Sequence, residues 1–230
     1  MRLLWIDLKR AFMPGKFIGI MIGIILLNCL DIFSILMEEL QAGVKSYDLC
    51  QLFVMKNAGI SGIMQILIMV LCMLPYGMSF AEDYGNHCLV DYSVRTSMVK
   101  YAFSKLAVCF TAAFTVSLLS EFLWGMLMLP GRPLANIERG IGQDAYTFSL
   151  VAEGSYRLLF GNLITLTALK NAFYASLALI ISAWIPSKYF AIAMPVVGYQ
   201  FLMMFTFYSI DFPGFLDPVV IFAYAGRYGI

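Results

Sequence analysis

A polytopic bundle of transmembrane α-helices is the fold class this sequence predicts, all-α and a single domain over residues 1–230. Three observations predict it. Of the 230 residues, 61% are hydrophobic and 13% charged. The mean hydropathy is +0.83. Apolar stretches roughly 20 residues long recur, the length that crosses a hydrocarbon core of about 30 Å at 1.5 Å per residue. A soluble domain carries about a quarter charged residues, so this chain could not cover its surface in water. A membrane β-barrel would show alternating segments of about ten residues instead. The formal net charge of +1 argues neither for nor against nucleic acid, and no nucleic-acid partner is expected. Cys29, Cys50, Cys72, Cys88 and Cys109 are scattered, with neither metal nor disulfide spacing. The start, MRLLWIDLKRAFMPGK, lacks the small-residue cleavage site of a signal peptide.

Residues 2–12 predict an amphipathic helix within an interfacial segment, 1–14. At 100° per residue Leu4, Trp5, Leu8, Ala11 and Phe12 share one side, opposite Arg2, Lys9 and Arg10. Met13-Pro14-Gly15 ends it. Such a helix suits a membrane surface, with aromatics at the interface and cations among lipid headgroups. The first span is expected at Phe17–Leu36, followed by a polar loop, EELQAGVKSYDLCQLFVMKNAG. The second runs from Ile60 to about Phe80 and the third from Leu106 to Leu129. A second long loop, PGRPLANIERGIGQDAYTFSLVAEGSYR, precedes a fourth span within Leu158–Ile185. The turn Pro186-Ser187-Lys188 leads to a fifth, Tyr189–Tyr208. The remainder is broken by Pro213 and Pro218, and the 12 residues after Pro218 are too few to cross a bilayer. The expectation is five full spans and a re-entrant or incomplete sixth.

Lys and Arg near span ends set orientation. With the N-terminus inside, Arg2, Lys9, Arg10, Lys16, Arg95, Lys100, Lys105 and Lys188 lie inside, against Lys45, Lys56, Arg132, Arg139, Arg157 and Arg227 outside. The expected arrangement is a multi-pass cell-membrane protein with a cytoplasmic N-terminus. It makes the polar break SFAEDYGNHCLVDYSVRTSMVKYAFSK, residues 79–105, cytoplasmic. There Glu82-Asp83-Tyr84-Gly85-Asn86 reads as a polar turn. Ser93 could cap a helix running into the third span, with Val94, Met98, Tyr101, Ala102 and Lys105 on an inward stripe. A plain reading is a solvated loop; a sharper one is a docking platform.

The pattern Phe80-x-Glu82-x-x-Gly85, with Arg95, Tyr101 and Lys105, resembles the region between the second and third spans of ABC-2 type transporter permeases. The amphipathic start, the long outer loop and the short Pro186–Lys188 turn are similar to that plan too. The resemblance implies that 82–100 is a coupling segment seated in a separate ATP-binding subunit, with Glu82, Arg95 and Lys100 as contacts and Tyr84 and Tyr92 filling its groove. It implies two permease chains with two ATPase subunits, and export of an amphipathic or hydrophobic substrate such as a peptide. This chain contains no G-x-x-x-x-G-K-[ST] phosphate loop. ATP and Mg²⁺ therefore belong to the partner, and no cofactor, metal or catalytic residue is expected here.

Three ionisable residues fall inside the expected spans: Asp31, Glu121 and Lys170. Such residues are costly in a bilayer and mark function. At 1.5 Å per residue each lies about 21–22 Å from the inner end of its span, so all share one level in the outer half. Either Lys170 pairs with Glu121 or Asp31, or each snorkels separately to the surface. The late aromatics Phe201, Phe205, Phe207, Tyr208, Phe212 and Phe215 suit an interfacial belt or a surface for lipid-like cargo, with Met203 and Met204 adding adaptability. Two competing classes remain. His87, the single histidine, adjoins Cys88, the minimum for an intramembrane thiol peptidase, although adjacent side chains point apart. A non-transporting immunity or scaffold protein would need no ATPase.

Overall fold

The computed structural model describes residues 2–43, 45–58, 63–86, 97–134 and 154–208. Its regular elements are all helices: α1 (Arg2–Ala11), α2 (Pro14–Asp31), α3 (Phe33–Ala42), α4 (Leu49–Ala58), α5 (Ile63–Met73), α6 (Ser79–Gly85), α7 (Met98–Met128), α8 (Tyr156–Trp184) and α9 (Lys188–Tyr208). Among the described residues three helices, α2, α7 and α8, are long and apolar enough to cross a membrane. The expected count of five full spans goes beyond these three. Where the second was expected stands the 11-residue α5, then a turn and α6. The fifth coincides with α9, 21 residues with Pro195 inside.

Polarity is distributed as lipid demands. Ile18, Ile22, Leu26 and Leu30 point outward along α2, while Asn28, Lys56, Lys105, Glu121 and Lys170 are buried. In water the opposite arrangement would win, because apolar surface is what water expels.

α7 and α8 form the central pair. Their facing sides carry small residues, with Cys109, Ala112, Ala113 and Ser117 on one and Ala168, Ala172, Ala175 and Ala178 on the other. Without a hydrophobic drive between helices in lipid, such residues let backbones approach and gain dispersion contact. Two polar bonds cross this seam. Asn171 Nδ2 donates to Ser117 Oγ at 2.9 Å, and Cys109 Sγ to the Ala175 carbonyl at 3.3 Å.

The first expected span is in fact two helices. Pro14 opens α2, where its fixed φ suits the first turn and its missing N–H has no intrahelical role. The helix breaks at Ile32 (φ −100°, ψ 13°), α3 follows, and Gly43 at φ 66° stops α3 in the left-handed region. The following stretch, read from sequence as polar loop, contains α4. A capping box starts it: Gln51 N–H donates to Asp48 Oδ1 at 2.7 Å and Asp48 N–H to Gln51 Oε1 at 3.2 Å.

α4 is not a surface helix. At its start the Leu49 and Cys50 N–H groups donate to the carbonyls of Pro133 and Leu134, both at 3.1 Å, beyond the end of α7. At its far end Lys56 meets Glu121. Leu49 to Lys56 and Glu121 to Met128 each span seven residues, about 10 Å of helix, so α4 runs into the bundle beside the last two turns of α7. Leu49, Cys50, Leu52 and Phe53 are buried with Ile32, Ile35, Trp124, Leu159 and Leu163. α5 continues the path. Gln65 Nε2 donates to the Lys56 carbonyl at 2.9 Å, and Met69, Met73 and Tyr76 pack with Val108, Cys109 and Ala112 toward the opposite end. α4 and α5 thus follow one another through the bundle interior.

Candidate functional site

The structure builds two polar centres, one at each end of the bundle interior. The first joins α1, α6 and the first turns of α7. Asp83 on α6 accepts from Arg10 Nη1 at 2.9 Å through Oδ1. Its Oδ2 meets Lys105 Nζ at 2.6 Å and accepts from Tyr101 OH at 2.8 Å. Lys105 also lies 3.5 Å from Asp7 Oδ1 and sits over the rings of Tyr76 and Tyr101. Around this core Glu82 takes Arg10 Nη2 at 2.9 Å and faces Lys188 of α9 at 3.8 Å. Burial alone would raise the Asp83 carboxyl, but its bonds to Lys105, Arg10 and Tyr101 outweigh that and hold it below its ordinary value of 3.8.

Of the residues expected to meet an ATP-binding subunit, Glu82 is partly exposed within this network, while Tyr84 and Lys100 are exposed beside it. Tyr92 and Arg95 lie outside the described residues, as do His87, Cys88, Ser93 and Val94. The polar turn at Glu82–Asn86 is instead the end of helix α6, with Asn86 after its last residue. The inward stripe is also shifted. Tyr101, Ser104, Lys105 and Val108 are buried, whereas Met98 and Ala102 face outward. On α1, Ala11 is buried and Leu8 and Phe12 partly so, but Trp5 is 70% exposed and the buried polar anchor is Asp7.

The second centre surrounds Glu121. Lys56 forms an ion pair with Glu121 Oε2, the two side chains 0% and 1% exposed. Asn28 Nδ2 of α2 donates to Glu121 Oε1 at 3.2 Å. The Lys56 ammonium lies 4.5 Å from the Trp124 ring centroid and 5.0 Å from that of Phe53. Phe53 and Trp124 meet edge to face at 4.9 Å. Gly125 makes room for Phe53, since a Cβ there would come within 3.1 Å of Phe53 Cζ. Lys170 donates to Gln65 Oε1 at 3.3 Å, and Asp31 is buried at the end of α2. Of the alternatives read from sequence, pairing of Lys170 with Glu121 or Asp31 and separate snorkelling, the structure shows within the chain a buried Lys170 bonded to Gln65 and Lys56 on Glu121. Lys56, counted from sequence as an outer-loop cation, takes that carboxylate because α4 folds inward.

The rim above α4 is clamped by Arg132. Its Nη1 donates to Glu39 Oε1 at 2.8 Å and to the Tyr47 carbonyl at 3.1 Å, and its Nη2 pairs with Glu39 Oε2. The Tyr47 N–H closes the ring on Glu39 Oε1 at 3.0 Å. Burial would raise the Glu39 carboxyl, but the Arg132 fork and the backbone N–H groups hold it below 4.5. Among the described residues no group of three His, Cys, Asp or Glu side chains is placed to hold a metal. Comparison with family models, curated proteins and solved structures returned no match for the chain.

Proposed function

We propose that this chain is the membrane-embedded subunit of an ATP-driven exporter of the kind its 80–105 stretch resembles. In this reading it is a multi-pass cell-membrane protein with a cytoplasmic N-terminus, assembled as two copies with two ATP-binding subunits. ATP and Mg²⁺ sit on those partners, and the cargo is an amphipathic molecule such as a peptide.

The observation that carries the reading is the bonding of Asp83 to Arg10 of α1 and to Tyr101 and Lys105 of α7 at once. A coupling element must pass displacement from a partner to the spans without slack. Charge-assisted bonds from α6 to two other helices are costly to stretch, so α6 and α1 move with the first turns of α7. Tyr84, Lys100 and part of Glu82 stand exposed at this junction, free to meet a partner.

The test is affinity purification of the chain from its native membrane in mild detergent, followed by mass spectrometry. A stoichiometric ATP-binding subunit, lost in Lys100→Glu and Tyr84→Ala variants that keep the thermal stability of the parent, supports the reading. A chain that is intact and reproducibly alone overturns it.

A further inference from the structure

We infer that Glu121, Asn28 and Trp124 form a recognition site for an aliphatic primary ammonium, and that Lys56 occupies it as a tethered ligand.

The parts of the site differ in kind. Its walls belong to the long helices α2 and α7: the Glu121 carboxylate, the Asn28 amide that orients it at 3.2 Å, and the Trp124 ring. The ammonium arrives on α4, ten residues long, a length at which an isolated helix is marginal. The chemistry of the walls is cation recognition. One carboxylate supplies charge, and an indole face 4.5 Å from the nitrogen supplies the ring quadrupole. The Asn28 Oδ1 is also buried without a hydrogen-bond partner in the structure, leaving an acceptor beside the pair.

Stability alone does not account for this arrangement. A buried ion pair often gives no more stability than apolar side chains of the same volume, because desolvation offsets the attraction. On one side the pair meets the apolar cluster of Phe53 and Trp124, which an apolar residue at 56 could join, and on the other it meets Asn28, Gln65 and the nearby Lys170. Once the carboxylate is present, though, it demands a cation. A movement of α4 removes the cation bonded to Glu121. Lys170, bonded to Gln65, is another buried cation near it, and an alkylammonium of lysine-like shape competes with it for the vacated place.

The site needs no ATP-binding subunit, so its test is independent of the export reading. The full chain is purified in detergent and titrated with dansylcadaverine, a fluorescent primary amine on a five-carbon stem. In the parent the probe competes with Lys56. In Lys56→Ala, which empties the slot, it binds at least tenfold more tightly. That gain disappears in Lys56→Ala/Glu121→Gln and for N-acetylated dansylcadaverine, which carries no charge. Equal binding by parent and Lys56→Ala, or a gain that persists in the double variant, overturns the inference. If Lys56→Ala does not fold unaided, purification with the probe present reads the same site: recovery of monodisperse protein supports it, and no recovery overturns it.

Discussion

Lys56 of α4 and Glu121 of α7, 65 residues apart in sequence, form an ion pair sealed from solvent on both sides. The pair joins the short helix α4 to the central α7·α8 pair, and it sets the first prediction. Lys56→Ala leaves a buried carboxylate without its cation, a loss of about 3–5 kcal/mol. Adding Glu121→Leu to that variant removes the orphaned charge and recovers most of the loss. Thermal unfolding of the two single variants and the double in detergent checks this. A double variant as unstable as the sum of the singles would show that the two side chains do not act as a pair.

The approach of α4 to α7 depends on Gly125. A methyl group there would press on the Phe53 ring at 3.1–3.2 Å, and Phe53 is held from other sides by Trp124 and Phe160. Gly125→Ala is expected to cost about 1–3 kcal/mol by overpacking, and Gly125→Leu more. Phe53→Leu in the Gly125→Ala background gives the methyl space and should restore part of the loss. The readout is again the unfolding midpoint, with near-ultraviolet circular dichroism reporting the Phe53–Trp124 environment.

These two predictions concern the part of the fold that sequence reasoning did not find. Long helices were legible: α7, α8 and α9 overlap the expected spans, because about twenty predominantly apolar residues leave few alternatives. α4 was not. Its apolar run, Leu52-Phe53-Val54-Met55, is short and flanked by Gln51 and Lys56, so hydropathy merged it with the polar loop. Periodicity does not expose it either, since α4 is enclosed on several sides and has no polar face to reveal it. The signal that could have been used is local: Asp48 with Gln51 three residues on, just before that run, is a capping box. Glu121 and Lys170, singled out from sequence, are both buried, but their partners follow from where α4 folds, and that is a tertiary fact. Asp7 and Asp83 were passed over for the same reason. Each looks like a surface acid until Lys105 is known to lie between them.

Asp83 should behave as the pin of the α1 end. Asp83→Asn keeps the shape but removes the charge facing Lys105 and Arg10, one of them fully enclosed. A loss of about 3 kcal/mol is expected, as for a buried pair broken on one side. Lys105→Met alone should cost a similar amount, and Asp83→Asn/Lys105→Met less than the sum. Because α1 is tied to the bundle through Arg10 and Asp7, limited proteolysis should release the N-terminal segment faster in Asp83→Asn than in the parent. Unchanged cleavage would place the attachment of α1 in its apolar contacts instead.

The rim clamp carries a pH signature. Glu39 is held below its ordinary value of 4.5 by the Arg132 fork and the backbone N–H groups. A carboxyl depressed in the folded state takes up protons more readily once unfolded, so its contribution is fully present above 4.5 and is lost as pH falls through the lower folded-state value. The unfolding midpoint of the parent should therefore decline below 4.5. In Glu39→Gln it should start lower, and the part of that decline due to this residue should be absent. Arg132→Lys tests the geometry separately from the charge. An ammonium cannot hold both carboxylate oxygens and the Tyr47 carbonyl in one plane, so about 2 kcal/mol should be lost at neutral pH even though the net charge is unchanged. If Arg132→Lys matches the parent across the whole pH range, charge alone suffices at this rim, and the docking of α4 rests on its capping box, its bonds to Pro133 and Leu134 and the buried Lys56–Glu121 pair.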